Sequence, residues 1–475
     1  MRADVMESVE NYVDEVWEDV VSDIASLVAY PSVADASAAE PGAPFGRPVR
    51  DALDCSLGIA ERLGYEVTDD DGYVGIADIP GECEEQIATI AHVDVVPAGP
   101  GWNTDPFSME RREGWLLGRG VIDDKGPAVL SLYAGAFFLR EGITPRYTFR
   151  ALLGCDEEVG MTDVKHYLAG HEQPLFLFTP DAEFPVCNAE KGCFGGTFKS
   201  AKIENGIIRS WSGAEATNAI PSQSECVLTA PIAELLAPQA NADRITLEDA
   251  GEGCTRIFAQ GIGGHASLPE GTINAIALVV GYLHEVMDVK PNLFDSAERS
   301  YLDLLSVVHD GTAGEGLGIA AESDAFGALT CNAGTIEVAD DHILQTIDVR
   351  YPDSTTSDEM AMICRAHASR FGAEFIAGRA KEPFSVSADS PAVCALLNTY
   401  REVTGKPAEP FSMGGGTYAR NFKSAVSFGP EDNSLELPAW AGSMHGPNEA
   451  ANEQLLRDAL KMYIIALVRL NELDF

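Results

Sequence analysis

An α/β fold interrupted by an inserted segment is what this sequence predicts, on three observations. Strand-like and helix-like patterns alternate over the first part of the chain, the texture changes to shorter strands with polar alternation near Glu190, and the helix-then-strand rhythm returns after "KEPFSVSADSPAV". Such alternation packs as a sheet covered by helices. The chain of 475 residues also exceeds what one hydrophobic core usually fills. The expected division is residues 1–190 and 385–475 for a split α/β domain, with residues 191–384 inserted between its halves.

Each element has its own signal. From Val5 to Val28 apolar residues recur at three- and four-residue steps (Val5, Val9, Val13, Val16, Val20, Ile24, Leu27), the mark of an amphipathic helix that ends before Pro31. The small-residue run "SVADASAAEPGAPFG" reads as a loop. Next come a strand in "QIATIAHVDVV", a helix in "GPAVLSLYAGAFFLREG", and strands in "RYTFRALLG" and "PLFLFTPD". Within the insertion, "GGTFKSAKIENGIIRSW", "ECVLTA" and "TRIFAQGIGG" carry polar alternation, Asn274 through Val289 is helix-like, and "HILQTIDVRYP" is a further strand candidate. The apolar-rich "NEQLLRDALKMYIIALVRL" closes the chain.

Charge and composition narrow the functional classes. A formal net charge of -42 repels nucleic-acid phosphates and argues against that partner. The first residues have neither a basic n-region nor an apolar h-region, and no apolar run is long enough to cross a bilayer. The 10 cysteines are scattered, without Cys-x-x-Cys. A cytoplasmic protein with reduced thiols is the expectation.

The strand exits hold the chemistry. In "TIAHVDVVPAG", His92 and Asp94 share one strand face at its exit. "RGVIDDKGP" places Asp123 and Asp124 where a helix begins, "LLGCDEEVG" places Asp156, Glu157 and Glu158 after an apolar strand, and "LFTPDAEFP" does the same for Asp181 and Glu183. Open α/β sheets bind ligands at the carboxyl ends of their strands. Singly, each group has a structural explanation: a hydrogen-bonded histidine, a polar turn, or acids at a helix N-terminus. Massed together, the carboxylates would repel each other unless a cation held them. Zinc and manganese take imidazole and carboxylate together, and two-metal sites need a bridging carboxylate. His445 in "GSMHGPNE" supplies a second imidazole.

With these residues in place, the sequence resembles the ArgE, DapE and carboxypeptidase G family of dinuclear metal exopeptidases and amidohydrolases, in particular its PepV-like (Sapep-like) dipeptidase branch. The resemblance runs from about Ser32 to the C-terminus through "AHVDVVPAGPGWNTDPF", "GRGVIDDKGP", "GCDEEVG", "TPDAEFPVCNAEKG", "GHASLPEGTINA", "IDVRYP", "GGGTYAR" and "MHGPNE". It implies a zinc-exopeptidase-like catalytic domain, with a mixed central sheet flanked by helices, plus an inserted α+β lid domain. It also implies two divalent metal ions, zinc first and manganese second. One would lie among His92, Asp181 and the bridging Asp123, the other among Glu158, His445 and the same Asp123.

By the same resemblance, Asp94 accepts the second ring N–H of His92 and fixes its tautomer, and the Asp123–Asp124 peptide is cis. Glu157 corresponds to the general base that takes a proton from a metal-bridging water and hands it to the leaving amine. His265 of the lid corresponds to the oxyanion-stabilising histidine, with Asn218 as a second lid residue facing substrate. Arg350 and the backbone of Gly414, Gly415 and Gly416 correspond to a clamp on the substrate carboxylate, through a guanidinium pair and a helix N-terminus. "GGGTYAR" lacks the Lys-Ser/Thr ending of a phosphate-binding loop.

The implied activity is dipeptide hydrolysis, with small peptides as partners. The alternatives are an N-acyl amino acid amidohydrolase with the same metals, for which Glu183 near an α-amino group would be the discriminator, and a non-catalytic binding relative, which would lack Glu157 or a ligand. Lid closure and a monomer, with a homodimer as the alternative, complete the expectation. Cys187 and Cys193, beside Asp181 in sequence, and the long acidic segment before His445 depart from the pattern.

Overall fold

The computed structural model describes residues 3–475; the first two residues of the expected first segment, Met1 and Arg2, lie outside the described residues. The chain divides into two compact units, Met1–Asn188 with Ser385–Phe411 and Gly416–Phe475, and Ala189–Phe384 with Ser412–Gly415.

The first unit is built on a mixed sheet. Four strands run parallel at its centre, in the order Tyr147–Gly154, Cys83–His92, Phe176–Thr179 and Ala425–Ser427. Val74–Ile79 and Glu66–Asp70 extend it antiparallel on one side, and Cys187 pairs antiparallel with Ser427 on the other. Central parallel strands are covered on both faces and so carry continuous apolar runs. Accordingly Ile87, Ala88, Ile90 and Ala91 are all buried.

Helices supply that cover. The N-terminal helix Ala3–Val28 buries Val9, Val13, Trp17, Val20, Ile24 and Leu27, a stripe at helical spacing. Helix Lys125–Arg140 is buried on every residue from Lys125 to Phe138, the pattern of a helix packed on all sides. The closing helix Glu453–Asn471 starts on Asn452, whose side chain accepts from the Gln454 and Leu455 amides. Helix Arg47–Leu63 ends on Gly64, whose φ of 100° favours a residue without a Cβ.

The second unit is α+β with a hydrophobic core of its own. One antiparallel sheet has the order Thr330–Ala339, His342–Tyr351, Gly192–Lys199, Glu374–Lys381; another has Ile208–Ser212, Gln223–Leu228, Cys254–Gln260, Ile245–Gly251. Helices Ala275–Val289, Ser296–Val308 and Ser357–Arg370 pack against them. Among the described residues, no helix is long and apolar enough to cross a membrane.

Candidate active site

The parallel strands of the first unit deliver the acids to one sheet edge. His92 pairs level with Gly154, so the strand exits at His92 and at Cys155–Glu158 are neighbours, and Asp181 follows the adjacent strand ending at Thr179. Asp123 and Asp124 precede helix Lys125–Arg140, with Asp124 at its N-cap position. The Asp123–Asp124 peptide is cis, as the resemblance implied.

Two donor sets form there. His92 Nε2 lies 3.1 Å from Asp123 Oδ1 and 3.9 Å from Asp181 Oδ2. His445 Nε2 lies 2.8 Å from Asp123 Oδ2 and 3.3 Å from Glu158 Oε2. Within each set the candidate ligand atoms all lie within 4.8 Å of one another. Bonds from zinc to imidazole and carboxylate are about 2.0–2.2 Å, which puts ligands of one ion roughly 3–4 Å apart. Asp123 offers one oxygen to each set.

The electrostatics fit cations. Glu158 Oε1 and Asp124 Oδ1 are buried without a hydrogen-bond partner among the described residues. Burial, reinforced by the Asp123 charge, raises the Asp181 carboxyl to about 7. Burial and then the Asp181 charge hold Glu157 well above the usual carboxylate range. Burial alone would lower the His92 imidazole, but the Asp123 and Asp94 carboxylates reverse this and raise it; Asp123 and then Glu158 raise His445. Carboxyls that retain protons beside imidazoles that retain theirs mark a strongly negative potential, which divalent cations relieve.

The neighbouring acids have partners of their own. The closer partner of His92 Nδ1 is the main-chain carbonyl of Asp94, at 2.9 Å, with the Asp94 carboxylate at 3.4 Å. That carboxylate also accepts the main-chain N–H groups of Glu157 and Glu158, each at 3.2 Å. The Asp94 side chain thus secures the Glu157–Glu158 segment that follows the neighbouring strand. Asp156 takes no part in either donor set: its Oδ2 accepts from the Thr162 amide and hydroxyl. Glu183 is engaged by Asn433, whose amide and side-chain nitrogen donate to Glu183 Oε1 at 2.9 and 2.6 Å.

In the second unit, Asn218 Nδ2 lies 3.4 Å from His265 Nε2, and His265 Nδ1 lies 2.7 Å from Ser267 Oγ. Arg350 is gripped by Asp348, Nε to Oδ1 at 2.7 Å and Nη2 to Oδ2 at 3.2 Å, while Nη1 donates to the Gly414 carbonyl at 2.8 Å. A Cβ on Gly414 would stand 2.5 Å from Ser267 Cβ, so the glycine permits that close approach. The glycine run does not open an α-helix: Gly416 leads to Thr417, which caps a single 3-10 turn, Tyr418–Asn421, too short to present an N-terminal dipole.

Several functional neighbours escaped sequence reasoning. Arg119 and Glu449 form a buried pair, Nη1 to Oε2 at 2.6 Å. Asp163 accepts the Cys155 and Asp156 amides at 2.6 and 3.0 Å and the Tyr418 hydroxyl, and Gly154 leaves room for that hydroxyl. Glu431 sits beside the Asp181 turn, its amide donating to the Ala182 carbonyl at 3.1 Å; burial and then the Asp181 and Asp123 charges raise its carboxyl. The motif "MHGPNE" contained Glu449, but nothing local marked its partner.

A sheet edge with two donor sets that share Asp123 is an arrangement able to hold two cations. Residues 88–469 match Peptidase family M20/M25/M40. The chain belongs to that family of metallopeptidases. It is 30% identical over 464 residues to the Beta-Ala-Xaa dipeptidase of Lactobacillus delbrueckii subsp. lactis, covering 94% of this chain and 93% of that protein. Its fold is similar to that of the di-peptidase Dug1p of Saccharomyces cerevisiae, with a TM-score of 0.60 at 13% identity over 99% of both chains. It is also similar to the YXEP protein of Bacillus subtilis, described as a dinuclear metal binding peptidase from the M20 family, with a TM-score of 0.50 at 14% identity over 98% and 99% of the two chains.

Proposed function

We propose that this chain is a metal-dependent dipeptidase that hydrolyses short peptides bearing a free C-terminal carboxylate. The observation that carries the reading is the pair of donor sets sharing Asp123, with Glu157 next to Glu158 in the same loop. His92, Asp123 and Asp181 would hold one divalent cation and Asp123, Glu158 and His445 the other, zinc first and manganese as the alternative, given the mixed imidazole and carboxylate donors. Cations held there supply Lewis acidity to a carbonyl oxygen and acidify water towards neutral pH.

The protein's own groups do the rest. Glu157 accepts the proton of the attacking water and passes it to the leaving amine. Asp94 fixes the Glu157 backbone for this task. His265 donates to the developing oxyanion, with Asn218 beside it. Arg350, oriented by Asp348, pairs with the substrate carboxylate, and the Gly414–Gly416 backbone gives that group close approach.

The similarity to the Beta-Ala-Xaa dipeptidase favours a free dipeptide over an N-acyl amino acid as substrate. We further place the protein in the cytoplasm, on its cysteine usage, and read it as a monomer, on the length of its inserted unit.

The test compares free dipeptides with their N-acetyl and N-succinyl analogues, using metal-stripped protein reconstituted with Zn²⁺ or Mn²⁺. Metal-dependent cleavage confined to the free dipeptides is expected. Preference for the acylated compounds would move the function to an amidohydrolase.

A further inference from the structure

Arg119 and Glu449 stand 330 positions apart, yet their side chains meet with 1% and 0% exposure. Beyond their mutual bond, each grips a different stretch of main chain. Glu449 accepts the amides of Gly120 at 3.0 Å, Ile122 at 3.2 Å and Asp123 at 3.4 Å, which is the turn that presents Asp123. Arg119 Nη2 faces the carbonyls of His445 and Gly446, both at 3.2 Å, and those of Ala98 and Pro97 at 3.4 and 3.5 Å. The indole of Trp102, itself bonded to the Ala98 carbonyl, covers the guanidinium at 5.3 Å.

This grip falls where the backbone needs it. His445 has a φ of 60°, a left-handed conformation that a residue with a side chain adopts only when its surroundings impose it. A buried ion pair contributes little net stability, because desolvation offsets its attraction. Its value here is geometric: one planar, forked cation and one carboxylate tie the turn carrying Asp123 to the turn carrying His445.

We propose that Arg119 and Glu449 are a positioning pair that sets the spacing between Asp123 and His445, and so governs affinity for the cation held by Asp123, Glu158 and His445 selectively. The inference rests on the two-cation reading above and adds to it a brace outside the ligand set. Arg119 grips the His445 turn and touches neither His92 nor Asp181, so the other cation, which shares only Asp123 with this site, should depend on it less.

The experiment is metal titration by calorimetry with Zn²⁺ and Mn²⁺, backed by metal content after gel filtration, for the full-length protein and for Arg119→Lys. Lysine keeps the charge but, as a point donor, cannot span the carboxylate and the carbonyls together. In Arg119→Lys one equivalent should bind as in the wild type within about threefold, while the second weakens by about 10–100-fold. Equal weakening of both equivalents, or no weakening of either, would overturn the proposal. Should Arg119→Lys fail to fold, Glu449→Gln, which preserves shape, should show its larger loss at one equivalent; equal losses or none would overturn the brace. A wild-type protein that takes up fewer than two equivalents would instead remove the two-cation reading, and the brace with it.

Discussion

Replacing Asp94 by Ala isolates the contribution of a group that lies outside both donor sets. Its carboxylate is fully buried and accepts the Glu157 and Glu158 amides, each at 3.2 Å. A hydrogen bond to a charged group contributes about 1.5–3 kcal/mol, so the two bonds together hold the loop with about 3–6 kcal/mol. If loop relaxation and entering water recover half of that, about 1.5–3 kcal/mol remains, equivalent to roughly 10–150-fold in rate or affinity. We therefore expect Asp94→Ala to lower kcat by about 10–150-fold and to weaken metal binding by about 10–100-fold. Asp94→Asn, which keeps one acceptor oxygen, should lose less. Steady-state kinetics at saturating metal, with metal content measured on the same samples, give the answer. An Asp94→Ala protein within threefold of wild type, or an Asp94→Asn protein worse than Asp94→Ala, would refute the reasoning.

Other consequences follow from individual side chains. Glu157→Gln should retain its full metal content while kcat falls by about 10²–10⁴-fold, the usual range for a general base; retained turnover would remove Glu157 from that role. Gly414→Ala places a Cβ 2.5 Å from Ser267 Cβ and displaces the partner of His265 Nδ1. We expect a stability loss of about 1–3 kcal/mol by denaturant melt, with a fall in kcat; wild-type behaviour would show that the contact yields freely. Burial lowers the His309 imidazole to about 4, so the folded state keeps it neutral. The stability this represents is present above pH 6.5 and is lost as pH falls from 6.5 towards 4, by at most about 3 kcal/mol. Urea melts should show His309→Gln flattening that limb; an unchanged pH slope would contradict the assignment.

How far the molecule was legible in its sequence depended on the range of the signal. The N-terminal helix and the strand exits at His92, Glu158 and Asp181 announced themselves because periodicity and sheet chemistry are local. Those local signals gave acids and histidines at strand exits; their sorting into two donor sets was implied by the family resemblance, whose motifs carry each ligand. Arg119 and Glu449 gave no such mark: their meaning arises only when chain segments 330 residues apart are folded together. The same holds for Tyr418 and Asp163, and for Asn433 engaging Glu183. Asp94 was legible as a neighbour of His92, but the Glu157 and Glu158 amides folded against its carboxylate were not, since strand alternation gives the face of a side chain and not the loop packed on it.

The central claim is that one carboxylate, Asp123, serves two cations at once. Crystals grown with Zn²⁺ or Mn²⁺ and measured across the metal's absorption edge test it most directly. We expect two anomalous peaks, one among His92, Asp123 and Asp181 and one among Asp123, Glu158 and His445, each within about 2.0–2.2 Å of an Asp123 oxygen. A single peak, or two peaks of which one leaves Asp123 unliganded, would contradict the account.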